Sequence, residues 1–182
     1  VDVSSGEAVV ESRTPLLDGS YASVASTVFD FDGNGSAEIL MQDECHVRIR
    51  SGVDGRTLWA TSNSSVTVSE YPVVADVTGN GQANLIVASN GIRSSRCADR
   101  DFPFTQSTNG IRVFRDSENN WISARSIWNQ HGYHIDHIRE DGSLPTGVRG
   151  NWESHNTFRL NRYPNPETVF HAPDLIPTTI ST

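Results

Sequence analysis

The sequence predicts an all-β fold assembled from repeated strand–loop–strand units. Three observations carry that prediction. Apolar residues make up only 36% of the 182-residue chain, while glycines number 14 and prolines 8, a composition that suits short, half-buried strands joined by polar turns. Apolar and polar residues alternate with period two in His46–Arg50 and again in Gly110–Arg115, and almost no stretch between them has helical periodicity. Finally, two segments match at a fixed spacing. Ser26–Gln42 (STVFDFDGNGSAEILMQ) and Tyr71–Ser89 (YPVVADVTGNGQANLIVAS) align with Asp30 on Asp76, a period of 46 residues. A fixed period in this range points to repeat architectures, propellers among them.

Each repeat has the same parts: a short apolar run, a loop rich in Asp, Asn and Gly, and a second apolar run. Between the repeats, Val47 and Ile49 face one way and Arg48 and Arg50 the other, which predicts a strand half buried on one face. Asp54-Gly55 is a two-residue hairpin signal, and Thr57–Ala60 begins the return strand. Gly110–Arg115 predicts another alternating strand, closed by a polar turn over Asp116–Asn120. Gly91–Asn109, with Arg93, Arg96, Cys97, Arg100 and Pro103, lacks alternation and reads as a loop inserted between strands. Ile122–His134 is compatible with a short helix or an irregular segment. The expected organisation is the end of a preceding unit or a linker over 1–20, the repeats over 21–121, an irregular closing segment over 122–171, and a linker to a following domain over 172–182.

Net charge is −8, and all 14 cationic side chains are Arg. Acidic residues are spread along the chain, which argues against nucleic acid and against anionic membrane surfaces. An acidic chain suits divalent cations. No apolar run is long enough for a transmembrane helix, so no membrane insertion is expected. The two cysteines, Cys45 and Cys97, allow one intrachain pair; export would favour it, but spacing alone does not establish that their Cα atoms are close. Asn63-Ser64-Ser65 is a glycosylation sequon, meaningful only in a eukaryotic secretory pathway.

The loops carry the chemistry. In the first, oxygen donors fall on alternate positions: Asp30, Asp32, Asn34, the Ser36 carbonyl and Glu38. Ca2+ takes six to eight oxygens, so carboxylates, amides and carbonyls are its natural ligands. The spacing follows an EF-hand at five positions and then departs from it, because Met41 stands where the closing Glu would be and Glu38 closes the loop instead. The second loop offers Asp76, Thr78, Asn80, the Gln82 carbonyl and Asn84. It has one carboxylate against three, so its affinity should be the lower, and its turn could be held by Asx-type hydrogen bonds alone.

Asp30-Phe31-Asp32-Gly33-Asn34-Gly35-Ser36-Ala37-Glu38 resembles the D-x-D-G-N-G-x-x-D/E cage of FG-GAP/VCBS repeats, the blades of integrin-α-type β-propellers. The Asp76–Asn84 loop is similar, with Thr78 and Asn84 in place of acids. The resemblance covers Tyr21–Asp116; Trp128–His134 and Asn156–Tyr163 are also similar to the ends of such propellers in large bacterial extracellular proteins. It implies a partial β-propeller of FG-GAP-type blades, structural calcium linking two strands of a blade, an extracellular or cell-surface location, and a non-catalytic role in adhesion, ligand recognition or scaffolding. The period allows about three or four blades in this length. The resemblance implies a closed ring of six or seven, so the expectation is further blades in preceding sequence; the alternatives are a ring completed by another chain and an open or atypical arrangement.

Two other constellations were weighed. His131, His134 and His137, with Asp136 among them, are residue types that bind zinc and would be needed for a metal-dependent hydrolase, but the H-E-x-x-H spacing is absent. Trp121, Trp128, Trp152 and Tyr133 could form a sugar platform in a lectin-like module or an anchor for a protein partner; the alternative is that they fill the core. Arg125, Arg139, Arg149, Arg159 and Arg162 lie among acids and read as surface or salt-bridged residues. There is no Arg-Gly-Asp tripeptide, so nothing points directly to an integrin-ligand role.

Overall fold

The computed structural model describes Arg13 and residues 26–66, 71–92, 97, 101–153 and 156–162. The expected linkers at 1–20 and 172–182 therefore lie outside the described residues, Arg13 excepted. The described part is all-β, with two antiparallel sheets, each a simple meander. The first contains β1 (Thr27–Phe29), β2 (Glu38–Gln42), β3 (His46–Arg50) and β4 (Thr57–Ser62), hydrogen-bonded in that order. The second contains β5 (Val73–Ala75), β6 (Asn84–Asn90) and β7 (Asn109–Phe114), also in sequence order.

The two matched segments adopt the same strand–loop–strand pairing. Phe29 pairs with Glu38 across β1–β2, and Ala75 pairs with Asn84 across β5–β6, so both loops spring from the same register. The core forms where the sheets meet. Phe29, Leu40, Val47, Val74, Leu85 and Val87 are all buried there. Polar clasps tie the sheets at both ends. Thr27 Oγ1 donates to the Pro72 carbonyl (2.6 Å), and the Gln42 and Asn63 side chains both donate to the Ala88 carbonyl (2.7 and 3.0 Å).

A hairpin turns at Asp54-Gly55, but not with the expected two-residue loop: the Ser51 amide donates to the Arg56 carbonyl (2.9 Å), so residues 52–55 form the loop, with Gly55 in the left-handed region at φ 73°, a conformation that glycine adopts without steric cost. Two alternation patterns depart from expectation. β3 is buried on both faces instead of one. Arg48 is enclosed because Asp43 pairs with it and His46 Nδ1 lies 3.0 Å from it, so its charge is met inside the fold. In β7 the polarity is inverted: Ile111 and Val113 are 71% and 50% exposed. The register with β6 causes this. Arg112 and Phe114 oppose the buried Val87 and Leu85, which leaves Ile111 and Val113 on the outer face. Arg112 then donates to the Ser62 carbonyl (2.6 Å) while its guanidinium lies 4.7 Å from the Phe114 ring centroid.

Cys45 and Cys97 are joined by a disulfide, with Cα atoms 5.6 Å apart. It pins the inserted β6–β7 loop to the β2–β3 turn. Asn63, the sequon asparagine, is fully buried, and its amide is engaged by the Ala88 carbonyl and the Ser89 hydroxyl, so the folded chain does not present it for glycosylation.

The region after β7 contains no α-helix among the described residues, only two single 3₁₀ turns at Ile135–His137 and Asn151–Glu153. It is wedged between the repeats. The Ile122 amide donates to the Phe31 carbonyl (2.9 Å), and the Ala83 amide donates to the Ile122 carbonyl (3.0 Å), so one residue bridges both loops. Arg125 and Arg159, expected at the surface or in salt bridges, are both buried, and Arg125 is also salt-bridged to Glu140. Arg159 donates to the His131 carbonyl (2.7 Å) and to Thr27 Oγ1 (2.9 Å), and its guanidinium lies over Tyr71 and Trp128. Arg125 donates to the Tyr133 hydroxyl and the Ile135 carbonyl (2.9 and 2.8 Å) and pairs with Glu140. Asn161 donates to the Val74 and Arg125 carbonyls (2.9 and 3.0 Å). These polar side chains take up backbone groups that an irregular segment would otherwise bury unpaired.

Candidate metal centre

The two repeat loops share one backbone frame and differ in what fills it. In the first, Gly33 and Gly35 sit at φ 72° and 89°; in the second, Gly79 and Gly81 sit at 72° and 85°. These left-handed residues curl each loop so that alternate side chains turn inward. In each, the leading aspartate anchors the turn. Asp30 accepts from the Asn34 and Gly35 amides (3.0 and 3.1 Å), and Asp76 accepts from the Gly79 and Gly81 amides (2.8 and 2.7 Å). The last residue closes both in the same way: Glu38 accepts the Phe31 amide at 2.8 Å, and Asn84 accepts the Val77 amide at 3.0 Å.

In the first loop, carboxylate oxygens of Asp30, Asp32 and Glu38 all lie within 4.8 Å of one another. Two oxygens on opposite sides of one calcium ion are separated by about 4.8 Å, twice a Ca–O distance. Asp30 and Glu38 are buried and Asp32 is exposed, so the cluster opens to solvent on one side. Asn34 braces it, donating its amide and side-chain NH2 to Asp32 (3.1 and 2.9 Å) while accepting the Ser36 amide (2.8 Å). Burial pushes the Glu38 carboxyl up, and the nearby charges of Asp32 and Asp30 add to this, against the lowering effect of the Phe31 amide. Arg162 approaches Asp30 to 3.8 Å. The donor set is oxygen only and triply anionic, which fits a hard cation of calcium's size.

In the second loop, Thr78 takes the position of Asp32. Its Oγ1 lies 3.3 Å from Asp76 Oδ1, 3.1 Å from Asn80 Oδ1 and 3.3 Å from Asn84 Oδ1. One hydroxyl proton serves these acceptors in turn. Asn80 accepts the Gln82 amide at 3.0 Å, and the Gln82 side chain donates to the Asn119 carbonyl at 2.7 Å. Burial pushes Asp76 up, but the amides of Gly81, Gly79 and Asn80 and the Thr78 hydroxyl outweigh it and hold the carboxyl below the usual range. The structure thus brings together Asp30, Asp32 and Glu38 with Asn34 in the first loop, and Asp76, Thr78, Asn80 and Asn84 in the second, as different chemical assemblies.

A second gathering of metal-ligand residue types, Asp43, Cys45 and His46, has other duties. Cys45 is in the disulfide, and Asp43 accepts the amides of Cys45 and His46 (2.8 and 2.7 Å) and pairs with Arg48. Among the described residues, the three histidines considered for zinc form no such gathering with each other or with Asp136. His131 meets the Tyr71 ring edge-on at 4.2 Å, whereas His134 and His137 lie against each other. Of the tryptophans, Trp121 packs on Phe31 (4.5 Å) and Trp128 stacks on Tyr133 (4.6 Å), while Trp152 is 70% exposed.

Sequence reasoning missed the anchoring roles of Arg125, Arg159 and Asn161. Their residue types are common on surfaces, and the only available signal was that so few aliphatic residues accompany them after residue 121.

No helix among the described residues is long and apolar enough to cross a membrane. No family model matches the sequence, and no curated protein matches it. Among solved structures, the chain is similar to the crystal structure of the V. cholerae biofilm matrix protein Bap1, with 36% identity and a TM-score of 0.63 over 75% of this chain and 22% of that one. The aligned part is thus about a fifth of that protein's length.

Proposed function

We propose that this chain is a calcium-stabilised, non-catalytic module of a secreted or cell-surface protein, built from FG-GAP-type blades of a β-propeller that other sequence completes, with a role in adhesion or matrix assembly. The carrying observation is the three-carboxylate cluster of Asp30, Asp32 and Glu38 within the span of one calcium sphere. The likeness to a biofilm matrix protein supports the extracellular, structural part of the reading, and so does the disulfide, a bond of oxidising compartments. Calcium here joins β1 to β2 and, through Phe31 and Ile122, steadies the segment wedged between the repeats.

Thermal unfolding after chelation, with calcium titrated back, tests this. At about 100 times its dissociation constant, a ligand specific to the folded state adds about 2.7 kcal/mol. For a domain of this size, that is a Tm rise of roughly 5–10 °C. Asp32→Ala should abolish the rise. An unchanged Tm in the wild type would remove calcium from the account.

A lectin-like alternative has one observation in its favour. Trp152 and Phe158, both exposed, border a hollow of about 390 Å3 with His134, His137, Arg149 and Asn156. On a glycan array, Trp152→Ala should lose binding under this reading while remaining folded, and an array on which the wild type captures nothing would end it.

A further inference from the structure

A second hollow, of about 440 Å3, lies between the two sheets beside the first loop, within the size range of small-molecule sites. Two aromatic pairs wall it: Phe31 with Trp121 (4.5 Å between ring centroids), and Trp59 on β4 with Phe114 on β7 (5.2 Å). Three carboxylates, those of Asp32, Glu38 and Asp116, face it together with a single guanidinium, Arg115. Asp116 is held in place by the amides of Glu118 and Asn120 (3.1 and 2.8 Å). The lining is therefore rich in acceptors and π faces and poor in donors.

That chemistry selects a cation. Aromatic faces carry negative potential and attract ammonium groups, most strongly where water is excluded. With the first loop free of cation, three acids and one Arg give the lining a formal charge of −2, which adds long-range attraction; a divalent cation held by Asp32 and Glu38 would cancel it, so the aromatic faces carry the recognition and calcium would weaken it. A neutral polyol can also donate to these carboxylates and lie on the rings, so the property that distinguishes the two ligands is charge. We propose that this hollow binds an organic ammonium group of the quaternary, choline type, seated between the two aromatic pairs. The group could come from a soluble ammonium compound or from a phosphocholine lipid headgroup, whose recognition chemistry is the same.

The test is a tryptophan-fluorescence titration of the whole chain in EDTA, which leaves the Asp32 and Glu38 charges uncancelled, with circular dichroism checking that the chelated wild type is folded. Choline chloride is compared with its neutral isostere 3,3-dimethylbutan-1-ol at matched ionic strength. Choline should bind saturably and at least tenfold more tightly than the isostere. Trp59→Leu should lose at least tenfold, while Trp59→Phe, which keeps a π face, should retain most of the affinity; circular dichroism and Tm confirm that both variants are folded. Equal response to the two probes, no saturation, or unchanged binding in Trp59→Leu would overturn the proposal. Co-sedimentation of the wild type with phosphatidylcholine but not phosphatidylglycerol vesicles makes the headgroup the source, and choline binding without co-sedimentation makes the source a soluble compound.

Discussion

The two loops have one backbone and opposite electrostatics. In the first, three carboxylates converge, and burial, with the charges of Asp32 and Asp30 added to it, raises the cost of keeping Glu38 ionised. In the second, a threonine hydroxyl stands at the centre and the single carboxylate is held by amides. One frame therefore supports two solutions to the same problem of closing a tight turn between strands. One leaves negative charge that an added cation can neutralise, and the other completes its hydrogen bonds from within the chain. Two substitutions, at the positions of Asp32 and Glu38, account for the difference in charge.

Exchanging those residues gives the largest expected effect. Thr78→Asp with Asn84→Glu should create a second three-carboxylate loop. Without calcium the double variant should be less stable than wild type by about 2 kcal/mol, since it removes satisfied hydrogen bonds and brings like charges together. With calcium it should recover, and calorimetry should count one more bound ion. The reverse exchange, Asp32→Thr with Glu38→Asn, should remove the response to calcium while leaving the chelated protein at least as stable as wild type. If the second loop gains no ion after the exchange, the shared frame is insufficient and the comparison fails.

The pH response should divide the loops next. Asp76 has a carboxyl pKa lowered on folding, so its contribution is present above the unfolded value of 3.8 and is lost as pH falls through the lower folded value. Glu38 has the opposite sign. Its folded pKa is raised, so in chelated protein its contribution is present below 4.5 and is lost as pH rises through the folded value. Denaturant midpoints of chelated protein measured from pH 3 to 7 should show Asp76→Asn flattening the acid limb and Glu38→Gln flattening the limb above it. Matching slopes in both variants would show that the two carboxyls share one environment.

The smallest effect tests the shared frame itself. Gly35 and Gly81 sit at φ 89° and 85°, and an added Cβ at either would meet nothing within 4 Å. Replacement by Ala should cost each loop about 1 kcal/mol, from backbone strain alone. A difference between the two much above that size would mean that the loops flex differently.

Much of this fold was legible because its signals are local. The 46-residue period, the apolar runs that form β2 and β6, the extended stretch at β3, and the glycines that permit the loop curl all act within a few residues of where they are read. The convergence of Asp30, Asp32 and Glu38 was legible for the same reason, since alternate spacing in a curled loop turns side chains to one side. The departures share a different cause. Which face of β7 is buried depends on its pairing with β6, which puts Arg112 and Phe114 opposite Val87 and Leu85, although the sequence offers Ile111 and Val113 as the apolar pair. Arg48 is buried because Asp43 is folded back against it. Arg159, Arg125 and Asn161 became anchors because they reach carbonyls far away in sequence, such as Pro72 and Val74.

By itself, the sequence determined an acidic, all-β, repeat-built chain with one loop of three carboxylates and one loop of a single carboxylate. Only the tertiary structure decided that the aromatic pairs Phe31–Trp121 and Trp59–Phe114 border an open hollow beside that first loop, that Cys45 meets Cys97, and that an irregular, polar segment closes the space between two sheets. The physical reason is range. Turns and strand alternation obey short-range sterics and periodicity, whereas burial of a charge, closure of a disulfide and the walls of a hollow depend on which distant groups arrive to meet them.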